Sequence, residues 1–594
     1  MGSRIQYSVP QEASRVFCQG ILNNPLVGPL SPELLALSKR IRFEGSDLPS
    51  VPVNWRFAES ISALKAYEAL LLMQLLSKKY GLSNTEVTIN TDHATLFFMT
   101  PMIASVVQDG KRIPFGPMSP ETQKLFPNED KHRAIDGLHR TLATNIYKAR
   151  DGRYYHIHGL LAPFTCVGIE PYLTRIGSMN PEPTLTALGL PLEGEPDDTY
   201  ESVVRRFQDV ISELDSSDLD QLMNEQHRQA GTIAYTADEY SATEQGQQCA
   251  KVGLYELSKD TESGQPASWW PEKIPLSPDS TTIRPLAGLK VVDLTRVIAG
   301  PAISRSLAEM GASVMRVTSP DITDLSALHQ DLNWGKWNCH LDLKKPGDKD
   351  KLRELIRDAD VVVDGYRPGV MERHSFGRQA IYDLVKDRPR GIIHVRENCY
   401  GWHGPWSHRS GWQQISDACC GVSMGYGRAM GHNEAVTPVF PNSDYCTGVC
   451  GSAAVLDALV RRSEQGGSYG IDVALNYYSQ WLVRSCGTYP EDVWAELWQR
   501  HGSPVFRHYH AMSYLLPSVM KLLREHDAAT LFNPAFFEER HAKFVNTNFS
   551  QLKPIAQFAT GGVHLGYQVG TRGNGVDCPR WPTSLSVEVV TDSN

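Results

Sequence analysis

The segment from residue 394 to residue 417, HVRENCYGWHGPWSHRSGWQQISD, is dense in side chains that could carry out chemistry. His403 lies between glycines and aromatic residues and is a candidate general base, because imidazole titrates near neutral pH. Gln413 can donate a hydrogen bond to a carbonyl or enolate oxygen. Asp417 follows Gln413 by four residues, so the two would share one face if this stretch is helical. These residues predict an acid–base or nucleophilic site.

Alternating strands and helices must position these residues. LKVVDLT (289–295) is a continuous apolar run, typical of a strand buried in a parallel sheet. A loop, a helix closed by Gly311 and the strand ASVMRVT (312–318) follow it, and further strands are predicted at 360–366 and 391–397. This alternation predicts a doubly wound α/β domain.

A weak internal repeat relates residues 58–99 to residues 443–483. Each stretch begins with an acid, Glu59 or Asp444, that opens a helix of small residues. A turn, a short strand and another helix follow in both. The order of elements agrees better than the residues do, and it predicts a partial duplication.

Three motifs stand together with the segment that runs on to Gly421: PLAGLKVVDLTRVIAGP (285–301), NWGKWNCHLDLKKPGDKDKL (333–352) and ADVVVDGYRPGVMERHSFG (359–377). Their combination resembles the family III CoA-transferases, the CaiB/BaiF group, which includes alpha-methylacyl-CoA racemase. The resemblance is close over about 285–485. It implies an α/β fold of that family, with a doubly wound Rossmann-like domain and a smaller α+β domain. Members form interlocked, ring-like dimers, so a fused chain would either fill part of that arrangement itself or interlock with a second chain.

The resemblance and the repeat together predict a fused partial duplication. The segment richest in Ser, Gly and Pro marks a linker between the two copies. The predicted parts are an N-terminal arm (1–54), a partial family III-like repeat with the small domain (55–257), the linker (258–284), the Rossmann-like domain (285–485) and a C-terminal segment that completes the fold (486–594).

The catalytic motif departs from the family at its central residue. In the transferases an aspartate attacks the acyl-CoA thioester, and the alignment places Gln413 at that position. In the racemase branch a histidine precedes the aspartate, and here that position is Trp412. The second acid of the racemases corresponds to Asp444, which could also serve as a helix N-cap. Asp417 is then the candidate for a displaced nucleophile, and His403 is the candidate for the missing base.

Coenzyme A carries phosphates and an adenine, so its site needs cations together with an aromatic or apolar slot. Arg367 follows the end of a predicted strand, where ligands bind on open α/β sheets. Lys336 and Arg316 match basic positions in the family pattern, and Arg296 opens the loop after the first strand. The substrate itself is expected to contact Trp412, Tyr400 and Glu397.

Four functions remain open at this point, and the loss of the family aspartate favours the first of them. The first is proton transfer on an acyl-CoA or related carbonyl substrate, of the isomerase, racemase or dehydratase type, which needs no covalent carboxylate intermediate. The second is transfer of CoA between carboxylic acids by a displaced nucleophile. The third is action on a metabolite other than CoA, since Trp334 and Trp337 replace basic residues of the family pattern. The fourth is a non-catalytic binding subunit.

The composition of the chain argues against several classes of binding partner. The chain has 594 residues and a net charge of −9 without Lys/Arg runs, which argues against nucleic-acid binding. No apolar run reaches the roughly 18 residues that a membrane span needs, and the N-terminus lacks the apolar core of a signal peptide. The 11 cysteines show no zinc-ligand spacing. We therefore expect a cytoplasmic homodimer with reduced thiols, a CoA thioester as substrate or ligand, and no metal.

Overall fold

The computed structural model describes residues 6–114, 124–127, 129–134, 136–159, 180–271, 282–559, 562–585 and 587–590. Their strands, in chain order, are β1 (Ile41–Glu44), β2 (Val87–Asn90), β3 (Ser105–Gln108), β4 (Lys111–Pro114), β5 (Thr144–Lys148), β6 (Tyr154–His158), β7 (Ala230–Ile233), β8 (Glu256–Lys259), β9 (Lys290–Leu294), β10 (Ser313–Thr318), β11 (Lys336–His340), β12 (Val361–Asp364), β13 (Ile393–Asn398), β14 (Tyr469–Ala474), β15 (Phe537–Ala542), β16 (Thr547–Leu552) and β17 (Ala556–Phe558).

The α-helices of eight or more residues carry most of the packing. They are Phe57–Tyr80, Tyr200–Ile211, Ala299–Glu309, Pro346–Asp358, Arg378–Val385, Val422–Ala429, Asn442–Gln465, Glu491–Arg500 and Met512–His526. Shorter α-helices are Val9–Arg15, Pro32–Ser38, Thr91–Thr95, Thr100–Ile103, Gly137–Thr141, Glu182–Ala187, Ser216–Asp220, Ala237–Ala242, Glu244–Cys249, His329–Leu332, Val370–Arg373, Gln413–Cys419, Leu475–Trp481 and Ala528–Leu531. Single π turns lie at Val16–Leu22, Gln221–Gln226 and Leu482–Cys486, and 3₁₀ turns lie at Leu96–Met99, Ser326–Leu328 and Pro534–Phe536.

The principal sheet has seven strands in the order β11-β10-β9-β12-β13-β14-β8. All neighbours are parallel except β8, which runs antiparallel to β14 at the edge. The chain leaves β9 toward β10 on one side and later returns to β12 on the other side. The carboxyl ends of β9 and β12 therefore form a topological switch point, where open α/β sheets bind their ligands. The predicted doubly wound domain is confirmed.

Two buried helices cross behind this sheet. Every residue of Ala299–Glu309 is buried, and this helix packs against Asn442–Gln465. A β-carbon on Gly448 would lie 2.5 Å from the β-carbon of Ala302, so only glycine permits this approach. The crossing fixes the start of Asn442–Gln465, and with it Asp444, beneath the carboxyl edge of the sheet.

The N-terminal half packs a long helix against the Rossmann-like domain. Helix Phe57–Tyr80 is buried along most of its length and packs against Asn442–Gln465. Both helices have 24 residues and a buried acid in the first turn, Glu59 or Asp444. Glu59 accepts hydrogen bonds from Tyr7 (2.6 Å) and Tyr489 (3.1 Å), which fill the space around it. These features fit the predicted repeat, which stays a prediction.

Three smaller sheets surround the principal one. The hairpin predicted around Asp151-Gly152 is confirmed as β5 and β6, and β7 joins its other edge. The C-terminal hairpin of β15 and β16 extends the hairpin of β3 and β4, because β16 pairs with β3, and β17 pairs with β2. The segment predicted to be a linker begins within β8, and Trp270 is buried with its indole N–H bonded to the Ala287 carbonyl oxygen (2.8 Å). The middle of that segment, 272–281, lies outside the described residues.

Candidate active site

A cavity of about 410 Å³ opens at the switch point, and we call it the main cavity. Loops after β9 and β12, the end of β13 and the loop before helix Gln413–Cys419 form its walls. Its lining residues are Arg296, Val297, Ile298, Ala299, Ile322, Gly365, Tyr366, Arg367, Pro368, Val370, Arg373, Glu397, Asn398, Cys399, Arg409, Ser410, Gly411, Trp412, Asp444 and Leu475.

Two carboxylic acids line the main cavity, Glu397 and Asp444. Glu397 is the penultimate residue of β13, and its side chain lies over Gly365, whose β-carbon would stand 3.5 Å from Glu397 Oε2. Asp444 lies in the first turn of Asn442–Gln465. Its side chain makes no cap hydrogen bond there, so the N-cap role that the sequence left open is not seen.

The environment favours the neutral form of both acids. Burial, and then the nearby Asp364, raises the pKa of Glu397 to about 8. Burial, and then Glu397 and Asp417, raises the pKa of Asp444 well above its usual range. Neither carboxyl group has a hydrogen bond or an ion pair with another residue in the part of the chain that the structure describes. Neighbouring acids whose pKa values are raised are suited to hold and exchange protons.

Gln413 and Asp417 form a buried pair behind the cavity wall. Gln413 opens helix Gln413–Cys419, so the two side chains lie one turn apart on the same face, and Gln413 Nε2 donates a hydrogen bond to Asp417 Oδ2. Burial raises the pKa of Asp417 to about 7, while the hydrogen bond from Gln413 opposes this rise. Neither residue is part of the cavity lining. The amide of Gln413 is therefore directed at Asp417.

Of the four cations predicted to bind CoA, two line the main cavity and two are buried elsewhere in the fold. Arg296 and Arg367 line the main cavity, as their positions after strand ends suggested. Lys336 is fully buried, and its amine lies 3.0 Å from Asp293 and 2.9 Å from the Pro301 carbonyl oxygen.

Arg316 is buried in a similar internal network. Its guanidinium lies 2.7 Å from Asp324 and 2.8 Å from Asn574. The charges of Lys336 and Arg316 are thus neutralised inside the fold, and neither residue lines the main cavity.

Arg409 and Arg373 also line the main cavity, and neither was predicted. Arg409 is held by Asp220 and Glu225, each at 2.9 Å. Arg409 lies in the segment rich in candidate catalytic residues, four residues before Gln413. Its acidic partners lie nearly 190 positions away along the chain, so no local pattern indicated the pairing.

The N-terminal half covers this side of the cavity. Besides the two acids on Arg409, the Arg228 carbonyl oxygen accepts a hydrogen bond from Arg367 at 3.3 Å. The ring of Trp412 stacks on that of His158, with the centroids 5.8 Å apart. Trp412 thus forms a wall between the cavity and the small sheet that contains β6.

His403 and Tyr400 lie outside the cavity lining. His403 is at the surface, where its Nε2 lies 2.7 Å from Glu256. Tyr400 is fully buried and donates a hydrogen bond to the Gly231 carbonyl oxygen at 3.1 Å. Of the predicted substrate-contact residues, Glu397 and Trp412 reach the main cavity, and Tyr400 instead fastens the loop after β13 to the N-terminal half.

A second cavity of about 130 Å³, here called the side cavity, adjoins the first. Ile322, Tyr366 and Val370 belong to both linings. The remaining lining follows the carboxyl ends of β9, β10 and β11 and includes Leu294, Val317, Thr318, Ser319, Asp321, Leu341, Asp342, Leu343, Lys344, Met371 and His374. Apolar walls with a polar rim suit a flat heterocycle.

Among the residues that the structure describes, no cluster of three or more His, Cys, Asp or Glu side chains could hold a metal ion. No helix among them is long and apolar enough to cross a membrane.

Comparisons with known proteins found a matching family model and several similar proteins. The family model "CoA-transferase family III" matches residues 286–501. The chain is 58% identical to the acetyl-coenzyme A transferase nodX of Hypoxylon pulicicidum, over 100% of this chain and 97% of that protein. It is 32% identical to an acyl-CoA transferase of Gibberella moniliformis, over 75% of this chain and 74% of the relative. A crystal structure of a hypothetical protein of Mycobacterium tuberculosis aligns with 34% of this chain and 57% of its own, at 28% identity and a TM-score of 0.30.

The chain belongs to CoA-transferase family III. The predicted family, its α/β fold class and its enzymatic nature are thereby confirmed.

Proposed function

We propose that this enzyme transfers CoA from an acyl-CoA donor to a carboxylic acid acceptor, and that a carboxylate of the main cavity replaces the aspartate missing at Gln413. One observation carries the proposal. The cavity at the switch point holds two acids without hydrogen-bond partners among the described residues, Glu397 and Asp444, beside four arginines. A carboxylate that can form an anhydride is what transfer of CoA between acids requires.

The arrangement of the two cavities supports an acyl-CoA ligand. The adenine would occupy the side cavity, and the phosphates would lie near Arg296, Arg367 and Arg373, whose guanidinium groups suit phosphate oxygens. The pantetheine arm would pass Tyr366, which both cavities share. The thioester would then reach the acids at the inner end of the main cavity.

The names of the relatives favour transfer over racemisation. The relative that is 58% identical over the whole chain is named an acetyl-coenzyme A transferase, and the relative at 32% is named an acyl-CoA transferase. Acetyl-CoA is therefore the first donor to test. The identity of the acceptor acid stays open.

An isotope-exchange experiment tests this proposal without knowledge of the acceptor. The enzyme is incubated with unlabelled acetyl-CoA and ¹⁴C-acetate, and the acetyl-CoA is isolated. A CoA-transferase moves label into acetyl-CoA, because acetate then serves as both product and acceptor. Absence of label, under conditions where acetyl-CoA raises the melting temperature of the protein, would contradict the proposal. That shift reports binding to the native state.

Proton transfer at the carbon next to the thioester is the second candidate. It is favoured by the pKa of about 8 for Glu397, because a catalytic base works best when its pKa lies near the operating pH. Incubation of acyl-CoA in deuterated water separates the two candidates. Deuterium at that carbon without ¹⁴C exchange supports proton transfer, and ¹⁴C exchange without deuterium supports CoA transfer.

The expected homodimer and cytoplasmic location are retained as proposals. Arg367, Arg409 and Trp412 are already covered by the N-terminal half of the same chain. If two chains form a dimer, the second chain is therefore not expected to cover these three residues. Light scattering at several protein concentrations gives the assembly, and fractionation of cells gives the compartment.

A further inference from the structure

A third cavity, of about 300 Å³, lies between the N-terminal arm and the chain around helix Leu475–Trp481, and we call it the arm cavity. Its walls come from the arm between residues 19 and 26, from residues 252 and 253, and from the chain between residues 477 and 485. It shares no lining residue with the main cavity or the side cavity. The proposed CoA site therefore leaves the arm cavity without a role.

Two π turns meet at the arm cavity, Val16–Leu22 in the arm and Leu482–Cys486 after the helix. Trp481 donates its indole N–H to the Gly20 carbonyl oxygen at 2.8 Å. A β-carbon on Gly20 would lie 3.1 Å from the β-carbon of Ser485, so the two walls are in close contact. Single π turns occur frequently at functional sites. The contacts between the walls give the cavity a defined shape.

Gln480 provides a buried hydrogen-bond acceptor in the arm cavity. Its side chain lines the cavity and is 6% exposed. Its Nε2 donates a hydrogen bond to the Gly246 carbonyl oxygen at 3.1 Å, so the other end of the amide must be the oxygen. That oxygen, Oε1, has no hydrogen-bond partner in the part of the chain that the structure describes. Because a buried acceptor without a partner is unfavourable, a ligand that donates a hydrogen bond would be stabilised there.

Arg484 provides a positive charge one turn further along the chain. It follows Gln480 by four residues, and both line the arm cavity. Its side chain is exposed and has no ion pair or hydrogen bond with another described residue. No acidic side chain is among the described residues of the lining, so an ammonium group would find no counter-charge, whereas a carboxylate would meet Arg484. The cavity therefore suits an anion.

Apolar side chains form much of the remaining wall, namely Pro25, Leu26, Val252 and Trp481. Such a surface suits the hydrocarbon part of a small ligand. A carboxylate for Arg484, a hydroxyl group for Gln480 Oε1 and an apolar body together describe a small hydroxy acid. We propose that the arm cavity is an effector site for such an acid, separate from the proposed CoA site.

Helix Leu475–Trp481 connects the arm cavity to the main cavity, which its first residue lines. Tyr477 lines the arm cavity and accepts a hydrogen bond from the backbone N–H of Trp402 at 3.0 Å. Trp402 belongs to the loop after β13, and the same loop contributes residues 399 and 409–412 to the wall of the main cavity. A ligand that holds the wall of the arm cavity in place should therefore also order this loop and favour binding in the main cavity.

Two acids that differ by one hydroxyl group test the site. Because Gln480 and Arg484 stand one helical turn apart, the hydroxyl group should lie close to the carboxylate. 2-Hydroxy-4-methylpentanoate has this arrangement, and 4-methylpentanoate lacks the hydroxyl group. Saturation-transfer NMR with the full-length protein gives the Kd of each acid. The hydroxy acid should bind about fivefold more tightly, because it alone can donate a hydrogen bond to Gln480 Oε1. Equal affinity, or no saturation transfer to the hydroxy acid, would overturn the proposal.

Substitutions locate the bound acid. Arg484→Gln changes an exposed residue and should weaken binding of the hydroxy acid about tenfold. The matched control, Arg205→Gln, removes an exposed arginine from helix Tyr200–Ile211 and should leave the Kd unchanged. Gln480→Leu should erase the preference for the hydroxyl group, and Arg484→Gln still decides if this buried variant fails to fold. Unchanged binding in Arg484→Gln would place the acid elsewhere and overturn the proposal.

The effector role is tested with free CoA, which has no acyl group to transfer. Isothermal titration calorimetry gives the Kd of CoA with and without saturating 2-hydroxy-4-methylpentanoate. The acid should tighten CoA binding at least fivefold in the wild type and in Arg205→Gln, and leave it unchanged in Arg484→Gln. Unchanged or weaker CoA binding in the wild type, or equal tightening in Arg484→Gln, would refute the effector role. Neither measurement involves transfer of CoA, so both outcomes are independent of the ¹⁴C exchange that tests the proposed function.

Discussion

Replacing Asp417 by asparagine should make the protein more stable than the wild type as the pH rises and leave CoA exchange nearly unchanged. Asp417 is 3% exposed and has a pKa raised to about 7 in the folded protein, mainly by burial. In an unfolded chain an aspartate titrates near 3.9. The folded state therefore holds this proton more tightly, so the stability that it contributes is complete below about pH 4 and is lost as the pH rises through about 7. The amide introduced by Asp417→Asn carries no titrating proton, so the variant would avoid this loss, and its side-chain oxygen could still accept the hydrogen bond of Gln413.

The magnitude follows from the two pKa values. Integrating proton binding from pH 5 to pH 8 gives a loss of about 3 kcal/mol from Asp417 alone. The difference in stability between Asp417→Asn and the wild type should grow by this amount over the same range. Because no carboxylate remains at position 417, the variant also tests whether this acid is the displaced nucleophile, and exchange within about twofold of the wild type is expected.

Urea unfolding of both proteins at pH 5, 6, 7 and 8, followed by circular dichroism, measures the effect. The midpoints should lie closest at pH 5, separate mainly between pH 5 and pH 7 and level off toward pH 8, with the variant higher. A constant separation at every pH would refute the argument that burial sets the protonation of Asp417. Loss of ¹⁴C exchange in a variant that unfolds normally would instead identify Asp417 as part of the reaction.

Four further predictions follow from the site. The kcat/KM for exchange should change between pH 6 and pH 9, because burial raises the pKa of Glu397, an acid of the main cavity, to about 8; a flat profile over this range would show that the reaction does not depend on the charge of Glu397. His403→Ala should leave exchange within about twofold, since His403 lies outside the cavity lining, whereas a loss beyond tenfold would restore it as a base. Arg367→Gln should raise the KM for acetyl-CoA about tenfold, with a weaker dependence on salt, because a guanidinium–phosphate contact is lost; an unchanged KM would place the phosphates elsewhere. Lys336→Met should destabilise the protein by about 3 kcal/mol in urea unfolding, because it leaves Asp293 buried without its cation; normal stability would show that Asp293 does not need the pair.

The doubly wound character of the Rossmann-like domain could be predicted because its signals are local. An apolar run such as LKVVDLT forms a buried strand whatever surrounds it, and residues that follow strand ends must reach one edge of a parallel sheet. Arg296 and Arg367 were predicted on that rule, and both line the main cavity. Glu397 was expected to touch substrate, but nothing local in the sequence indicated the raised pKa that burial gives it.

Other parts of the site depend on contacts between distant segments. The charge of Lys336 fitted a CoA site by family pattern, but in the fold that charge pairs with Asp293, 43 residues earlier. The pairing of Arg409 with Asp220 spans 189 residues and leaves no periodic or spacing signal. The residues around His403 suggested a catalytic base. In the fold, the turn that carries His403 lies at the surface, where its side chain contacts Glu256. Charge pairing and side-chain direction are properties of the folded chain, which residue types alone do not determine.

The bonds from Arg409 to Asp220 and Glu225 join a catalytic cavity to its cover within a single polypeptide. Where a cover belongs to another subunit, dilution removes it, because association depends on concentration. Here the cover is tethered, and closing a loop of nearly 190 residues costs an entropy of about 5 kcal/mol that is the same at any protein concentration. Each chain therefore carries this part of the cover for its own main cavity, and the contact should persist even when the protein is very dilute.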